Sequence, residues 1–362
     1  MGRKNNHSPK TLLITRFSAL GDVCMTIPVV YGVCHANPDI RFVFLTKSGV
    51  TSMFVNKPDN LEIEGVDLKK DYDGLLGAVK LFRYVQGKYG ITDFADLHSV
   101  LRTHVMRFVA RLSGIRTAVI DKCRADRRRL VTAGAYATPA LPPMVQRYAD
   151  VFRQLGLSVP DSSTLTPPAA AMPEEIFADV IAPKSEDEVW IAIAPFAAHN
   201  GKIYPPELMK RVVDTLASRP STTIFLFGGG ENERRILGSW VKSADNIISM
   251  AEKRHGFTKE LALFSQMDVA VTMDSANMHL ASIAGVPVVS IWGATHPAAG
   301  FYGWKQNPDY AVQSDLPCRP CSIFGNKPCR RGDYACLHDI SPEMIISKID
   351  NILNRSHGNE PR

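Results

Sequence analysis

The chain has 362 residues, a length that predicts about two domains. It contains 42 Lys and Arg residues against 36 Asp and Glu residues, so its formal net charge is +6. Apolar residues make up 45% and charged residues 22% of the chain, a globular composition that excludes an intrinsically disordered protein.

Short apolar runs and helical periodicity alternate through the first half of the chain. This pattern predicts strands over 11–15, 41–45 and 91–95, and helices over 23–34 and 100–113. A loop of small residues, RFSALGD, joins the first strand to the first helix. Such alternation predicts a parallel sheet with helices on both faces.

A segment rich in proline, small residues and acids interrupts the alternation over 158–188, and it predicts an interdomain linker that contains one short helix. Beyond it, we predict strands over 189–194, 222–227, 269–272 and 286–292 and helices over 206–218, 277–284 and 341–353. The predicted fold is therefore α/β with two domains, 1–170 and 171–362. Ligands of such sheets bind beyond the carboxyl ends of the strands, so the loops that follow strands are the candidate sites.

Three of these loops in the second half carry residues suited to a nucleotide diphosphate. PFAAHNGK supplies Lys202, whose charge can neutralise a phosphate. GGGEN supplies Glu231 for ribose hydroxyls, and DSANMH supplies Asp274 for sugar hydroxyls and His279 for phosphate. Backbone N–H groups at the helix start after Asp274 can also bind an anion. The alternative is a bare glycine turn, a helix cap and a core histidine.

In the first half, Asp22 lies in the RFSALGD loop, next to the start of a helix. A carboxylate there can take a proton from a hydroxyl nucleophile, or it can simply cap the helix. Asp93, Asp96 and His98 are candidates for an acid–base cluster, but their spacing around a strand end fits a solvated edge equally well.

Basic residues are concentrated in one stretch of the chain, which includes Arg127 and Arg128. Such a cluster binds phosphates or carboxylates, or it is a solvated face. Nucleic acid is not predicted as a partner, because the cluster lacks interleaved aromatic residues and no nucleic-acid-binding motif is present.

Four of the seven cysteines follow the spacing CxxC-x7-C-x6-C, at Cys318, Cys321, Cys329 and Cys336. Four thiolates can hold zinc, but the second pair is not a CxxC, so a structural loop without a metal is the preferred interpretation. The odd cysteine count, together with no apparent export signal and no apolar run of membrane-spanning length, favours a reducing, cytoplasmic compartment.

Several of these segments resemble, in the same order, one known family. The stretches LLITRFSALGDVCMTIPVV, DLHSVLRTHVMRFVARLSG, PFAAHNGKIYPPE, FGGGENERR and MDSANMHLASIAGVPVVSIWGATHP are similar to the ADP-heptose:lipopolysaccharide heptosyltransferases, glycosyltransferase family 9. The cysteine-bearing tail is also typical of that family. The resemblance covers about residues 11–355, and its most specific parts are the SALGD loop and the DSxxxHLAxxxGxPVV segment.

The resemblance implies a GT-B fold, in which two Rossmann-like domains face each other across a cleft. It also implies an inverting transfer of heptose from ADP-heptose, with no cofactor and no metal. Asp22 then corresponds to the catalytic base. The residues expected at the donor are Ala197, Ala198, Lys202, Glu231, Asp274, Ser275, Ala276 and His279. Those expected at the acceptor are Arg16, Ser18, His98, Arg127 and Arg128.

The expected partners are a nucleotide-sugar donor and an anionic, lipid-linked oligosaccharide acceptor at the inner face of the cytoplasmic membrane. Two departures from the family pattern concern the donor: Ala276 replaces the usual glycine, and Ala197 and Ala198 replace small hydroxyl residues. Two alternatives therefore stay open. One is another enzyme of this fold, either a transferase using a different sugar nucleotide or a 2-epimerase, and the other is a non-catalytic sugar-nucleotide-binding protein.

Overall fold

The computed structural model describes residues 10–168, 183–253 and 255–357. It divides into two compact units. The first unit comprises the chain up to Lys122 and the segment Met144–Pro168, and the second comprises Cys123–Pro143 and the chain after Pro168. Among the described residues, no helix is both long enough and apolar enough to cross a membrane.

The first unit is built on a five-stranded sheet in the order β3-β2-β1-β4-β5, and all of its strand pairs are parallel. Its strands are β1 (Thr11–Thr15), β2 (Arg41–Lys47), β3 (Leu61–Val66), β4 (Asp93–Asp96) and β5 (Arg116–Val119). Its helices are α1 (Leu20–Ala36), α2 (Gly74–Tyr89), α3 (Leu101–Leu112) and α5 (Met144–Gln154). The strand order is that of a Rossmann-like half.

The second unit is built on a six-stranded parallel sheet in the order β11-β10-β9-β6-β7-β8. Its strands are β6 (Val189–Ala194), β7 (Thr222–Leu226), β8 (Ile247–Ser249), β9 (Val269–Met273), β10 (Val288–Trp292) and β11 (Ala311–Gln313). Its helices are α4 (Arg124–Ala133), α6 (Pro206–Ala217), α7 (Glu231–Val241), α8 (Phe257–Phe264), α9 (Ala276–Ile283), α10 (Ala335–His338) and α11 (Pro342–His357). The predicted α/β class with parallel sheets is confirmed.

The burial of the central strands explains why apolar runs in the sequence predict their positions. β1 and β9 are buried along their whole length, as expected for parallel strands covered on both faces. The first helix starts earlier than predicted, at Leu20, and it continues through Pro28 to Ala36. Of the linker predicted over 158–188, the structure describes 158–168 and 183–188, which include one short 3₁₀ helix at Ser162–Thr164, and residues 169–182 lie outside the described part of the chain.

The division into units differs from the predicted single boundary in one respect. The segment Cys123–Pro143, which contains α4, packs with the second unit rather than the first. Leu130 and Leu141 form a buried cluster with Ala299, and the N–H of Leu141 donates to the Ala298 carbonyl at 2.8 Å. These contacts join residues that are far apart in sequence, so local sequence patterns do not reveal them.

Candidate functional site

Asp22 lies in the first turn of α1, just beyond the carboxyl end of β1. Its Oδ2 accepts a hydrogen bond from the Ala19 N–H at 3.1 Å and lies 2.6 Å from Arg16 Nη2. Its Oδ1 makes no hydrogen bond with any residue in the described part of the chain. The side chain is 22% exposed. One oxygen of Asp22 is thus held in place, while the other is available to a ligand.

Arg16 is a buried cation that orders this loop. Its Nη1 donates to the Leu97 carbonyl at 2.7 Å, and its guanidinium lies 5.9 Å from the centre of the Tyr148 ring. The Tyr148 hydroxyl in turn donates to the Asp22 carbonyl at 3.3 Å. Arg16 therefore has a structural role, in which it pairs with Asp22, and its role at the acceptor stays a prediction.

His98 lies beside the same loop. The Phe17 N–H donates to Nδ1 at 3.4 Å, which places the proton of the neutral ring on Nε2, 3.3 Å from Ser18 Oγ. Burial, with help from the nearby charges of Arg16 and Lys122, lowers the pKa of His98 to about 3. His98 is therefore neutral near pH 7, and it can bind a hydroxyl but cannot act there as a cationic acid.

The two aspartates of β4 have different environments. Asp96 is fully buried at the carboxyl end of the strand, where its Oδ1 accepts from the N–H groups of His98 and Ser99 at 2.9 Å. Asp93 is at the opposite end of the strand and pairs with Arg116 at 2.6 Å. The three-residue acid–base cluster is therefore not formed, because Asp93 and Asp96 terminate the strand at opposite ends.

In the second unit, Lys202 and Asp274 meet at the carboxyl ends of β6 and β9. Lys202 Nζ lies 3.3 Å from Asp274 Oδ2, and the two side chains are only 16% and 8% exposed. Gly325, with φ at +72°, leaves room for the lysine stem, because a Cβ there would lie 2.5 Å from Lys202 Cγ. The predicted pairing of these two loops at one sheet edge is thus observed.

Two hydroxyl groups near Asp274 are buried without a hydrogen-bond partner in the described part of the chain: Thr272 Oγ1 and Ser275 Oγ. Ser275 is the N-cap residue of α9, and its side chain makes no cap bond. Ala276 is the first residue of this helix, and His279 is buried one turn further along. Buried hydroxyls without partners are costly unless a ligand or water satisfies them, so this edge is suited to a polar ligand. Thr272 was not predicted, because nothing in an apolar strand run marks it.

Glu231 of the GGGEN loop and Glu233, both in the first turn of α7, have different environments. Glu233 Oε2 accepts from the Gly229 N–H at 2.7 Å, so Glu233 fastens the glycine turn to α7. Glu231, the first residue of α7, is exposed and makes no hydrogen bond within the described residues. Glu231 rather than Glu233 is therefore free to meet a ligand.

The two alanines expected at the donor also differ in exposure. Ala197 packs against the core, whereas Ala198 is exposed.

The predicted acceptor arginines belong to α4, which packs in the second unit. The Arg127 guanidinium lies near two aromatic rings, 5.1 Å from the centre of Phe301 and 5.6 Å from that of Phe324. Arg128 is exposed. Both arginines lie within the predicted first domain, 1–170, but α4 packs in the second unit, where Arg127 contacts the Phe324 ring of the tail.

The four tail cysteines line one small pocket and are free thiols. Arg319, which lies between Cys318 and Cys321 in the sequence, is buried. It donates hydrogen bonds to the carbonyls of Gly293, Trp292 and Thr295, and these bonds hold the tail against the end of β10. Within the ranges the structure describes, no group of three or more His, Cys, Asp or Glu side chains is arranged to hold a metal ion.

Comparisons with known proteins agree with this architecture. The model of glycosyltransferase family 9 (heptosyltransferase) matches residues 108–329. Lipopolysaccharide heptosyltransferase 1 of Pseudomonas aeruginosa is 24% identical over 94% of this chain and 98% of that protein. Lipooligosaccharide heptosyltransferase 2 of Campylobacter jejuni is 33% identical, but this match spans only 25% of the chain and 27% of that protein.

Solved structures show the same fold at low sequence identity. A family 9 glycosyltransferase from Veillonella parvula aligns with a TM-score of 0.73 and 18% identity, covering 97% of this chain and 99% of that one. The ADP-heptose lipopolysaccharide heptosyltransferase II of Escherichia coli aligns with a TM-score of 0.68 and 16% identity, covering 96% and 100%. The two parallel α/β units are therefore those of the GT-B heptosyltransferase structures.

Proposed function

Because the chain belongs to glycosyltransferase family 9, the heptosyltransferase family, we propose that it transfers a heptose from ADP-heptose to an anionic sugar of the lipopolysaccharide core. An acceptor oxygen forms a bond to the anomeric carbon as the bond to the diphosphate breaks. The acceptor proton goes to a base, ADP leaves, and the configuration at the anomeric carbon is inverted. The proposal requires no metal ion in the chemical step.

Asp22 is the proposed base. The observation that carries the proposal is the asymmetry of its carboxylate: Oδ2 is held by Ala19 and Arg16, whereas Oδ1 is unoccupied within the described residues. A fixed carboxylate with one available oxygen can accept a proton from a hydroxyl at hydrogen-bond distance. Ser18 and the neutral His98 beside it are suited to orient that hydroxyl.

The donor contacts are proposed for the second unit. Lys202 neutralises the departing diphosphate, and Asp274 both holds the lysine and accepts from sugar hydroxyls. The unpartnered hydroxyls of Thr272 and Ser275 donate to the same ligand. Preorganised donors of this kind stabilise charge that develops on a leaving group. Ala276 and His279 line the helix start, and Glu231 is proposed to accept from the ribose.

The acceptor is proposed to be lipid-linked and anionic, which would place the enzyme at the inner face of the cytoplasmic membrane. Arg128, exposed on α4, is available to a phosphate or carboxylate of this acceptor. Arg16 is proposed to act there indirectly, by holding Asp22.

The test is the Asp22→Asn variant, assayed for ADP release with saturating donor and acceptor. Asparagine can still accept at the helix start but cannot take a proton near pH 7. The proposal expects turnover to fall by about 10²-fold or more, with the Kd for ADP unchanged.

Because Asn also weakens the contact with Arg16, the melting temperature is measured in parallel. A cap role alone predicts a small loss of stability and turnover within a few-fold of the parent protein, and that result would remove Asp22 as the base. A panel of sugar nucleotides in the same assay tests the donor. Turnover with another sugar nucleotide but none with ADP-heptose would contradict the proposed donor, and ADP binding without any turnover would indicate a binding protein.

A further inference from the structure

Two neighbouring helices of the first unit expose large apolar side chains. On α2, Leu75 is 52% and Leu76 is 85% exposed. On α3, Leu101, Phe108 and Leu112 are 66%, 64% and 74% exposed. These five residues account for most of the large apolar side chains that are exposed in the described part of the chain. We call them the α2–α3 apolar face.

The face results from how the two helices pack. Leu81 and Phe82 of α2, with Met106 and Ala110 of α3, enter the same core cluster against the sheet. The helices therefore lie side by side on one face of the sheet, and their opposite sides point outward. On α3, the spacing of Leu101, Phe108 and Leu112 is seven and then four residues, which places all three on one side of the helix. Burial in the core of this unit does not account for them.

The charge on these helices has one sign. Neither α2 nor α3 contains an Asp or Glu residue, whereas together they contain six basic residues: Lys80, Arg83, Lys88, Arg102, Arg107 and Arg111. Lys80, Arg83 and Arg111 are exposed and form no salt bridge with any residue that the structure describes. Asp71 and Asp73, in the turn before α2, are the exposed acids nearest in sequence. The two helices thus expose apolar side chains together with cations that form no salt bridge within the described residues.

We propose that the α2–α3 apolar face docks on the surface of an anionic phospholipid bilayer. Leucine and phenylalanine side chains would enter the boundary between headgroups and acyl chains, while Lys80, Arg83 and Arg111 meet lipid phosphates. Charge complementarity favours this occupant, because an apolar patch on two helices that carry six basic residues and no acidic ones matches a negatively charged interface. The inference rests on this surface alone and is independent of the donor and of Asp22.

The test uses the full chain and vesicles that contain neither donor nor acceptor. Vesicles of equimolar phosphatidylglycerol and phosphatidylcholine are compared with pure phosphatidylcholine in a sedimentation assay. We expect binding to the anionic vesicles that weakens as salt is added, and little binding to the neutral ones. Equal binding to both, or to neither, would overturn the proposal.

Two double variants locate the surface. Phe108→Ser with Leu112→Ser, and Lys80→Glu with Arg83→Glu, should each weaken vesicle binding by at least about tenfold, because they remove the apolar and the electrostatic contributions respectively. Their side chains are exposed, so the melting temperature should stay close to that of the parent. The matched control, Met344→Ser with Arg355→Glu, makes the same kinds of change on exposed positions of α11 and should bind normally.

If both double variants bind vesicles as well as the parent does, another surface makes the membrane contact and the proposal is wrong. A second outcome would also overturn the proposal: a concentration-dependent dimer that Phe108→Ser with Leu112→Ser dissolves, with no vesicle binding by the parent. In that case the face is covered by a second copy of the chain. Neither result depends on whether the protein transfers heptose.

Discussion

The Arg16 guanidinium holds the Asp22 carboxylate, with Nη2 2.6 Å from Oδ2, while its other terminal nitrogen donates to the Leu97 carbonyl at 2.7 Å. One buried, planar group therefore ties the start of α1 to the chain just after β4. A guanidinium can make both contacts at once because its donors point in fixed, different directions. The position of the proposed base thus depends on an arginine rather than on a positive charge alone.

This dependence predicts that Arg16→Lys is not conservative. A single ammonium cannot reach both Asp22 and the Leu97 carbonyl, so we expect a loss of about 1–3 kcal/mol in the free energy of unfolding, together with lower turnover. Denaturant unfolding and ADP release measure the two effects. The control is Arg41→Lys, in an exposed pair with Glu62, which should change stability by no more than about 0.5 kcal/mol. Similar results for both variants would show that Arg16 does not position Asp22.

A second prediction concerns the packing of Lys202 against the tail. Gly325→Ala would place a methyl group 2.5 Å from Lys202 Cγ and so displace the lysine from Asp274. We expect a weaker affinity for ADP, by about tenfold, because a charge-assisted phosphate contact is lost. Gly332→Ala is the control, since its φ of +83° imposes similar backbone strain but its Cβ meets open space. If calorimetric titration gives the same Kd for ADP with both variants, Lys202 does not contribute to donor binding.

A third prediction distinguishes the two neighbouring arginines of α4. Arg127→Ala removes the contacts with the rings of Phe301 and Phe324, so we expect a loss of about 1–2 kcal/mol in unfolding free energy. Arg128→Ala should leave stability within about 0.5 kcal/mol of the parent, because its side chain is exposed. If Arg128 meets the acceptor, its variant should instead show a higher KM for the acceptor. Equal melting temperatures for the two variants would contradict the structural role of Arg127.

The fourth prediction follows from the burial of His98. Its pKa is about 3 in the folded protein and about 6.5 in a model peptide, so the unfolded chain binds more protons between these values. The free energy of unfolding should therefore fall as pH drops below about 6.5, and by pH 5 this group should contribute a loss of up to about 2 kcal/mol. His296, with a pKa lowered to about 4 by burial and by Arg319, acts in the same direction.

Denaturant unfolding at a series of pH values tests this. His98→Gln removes the titrating ring, so stability should depend less steeply on pH between pH 6.5 and pH 5 than in the parent, whatever its absolute stability. An unchanged slope in the His98 variant would show that folding does not change the pKa of His98.

Local sequence patterns were sufficient for the central strands of both sheets. Fully buried parallel strands need unbroken apolar runs, so β1, β6, β7 and β9 could be located before the structure was known. Short or amphipathic elements such as α2 and β8 lack so clear a signal and were not predicted. The loops after strands could also be identified, since parallel strands direct them to one edge of their sheet.

By itself, the sequence determined the α/β class, the two sheets and the loops that hold Asp22, Lys202 and Asp274. Only the tertiary structure decided the partners of these residues. Three relationships were not evident from the sequence: the ion pair of Arg16 with Asp22, the close packing of Gly325 against the Lys202 side chain, and the packing of Cys123–Pro143 with the second unit. The physical reason is that periodicity reports which side of an element is buried, whereas a side chain's direction and its distant partner depend on how the elements pack.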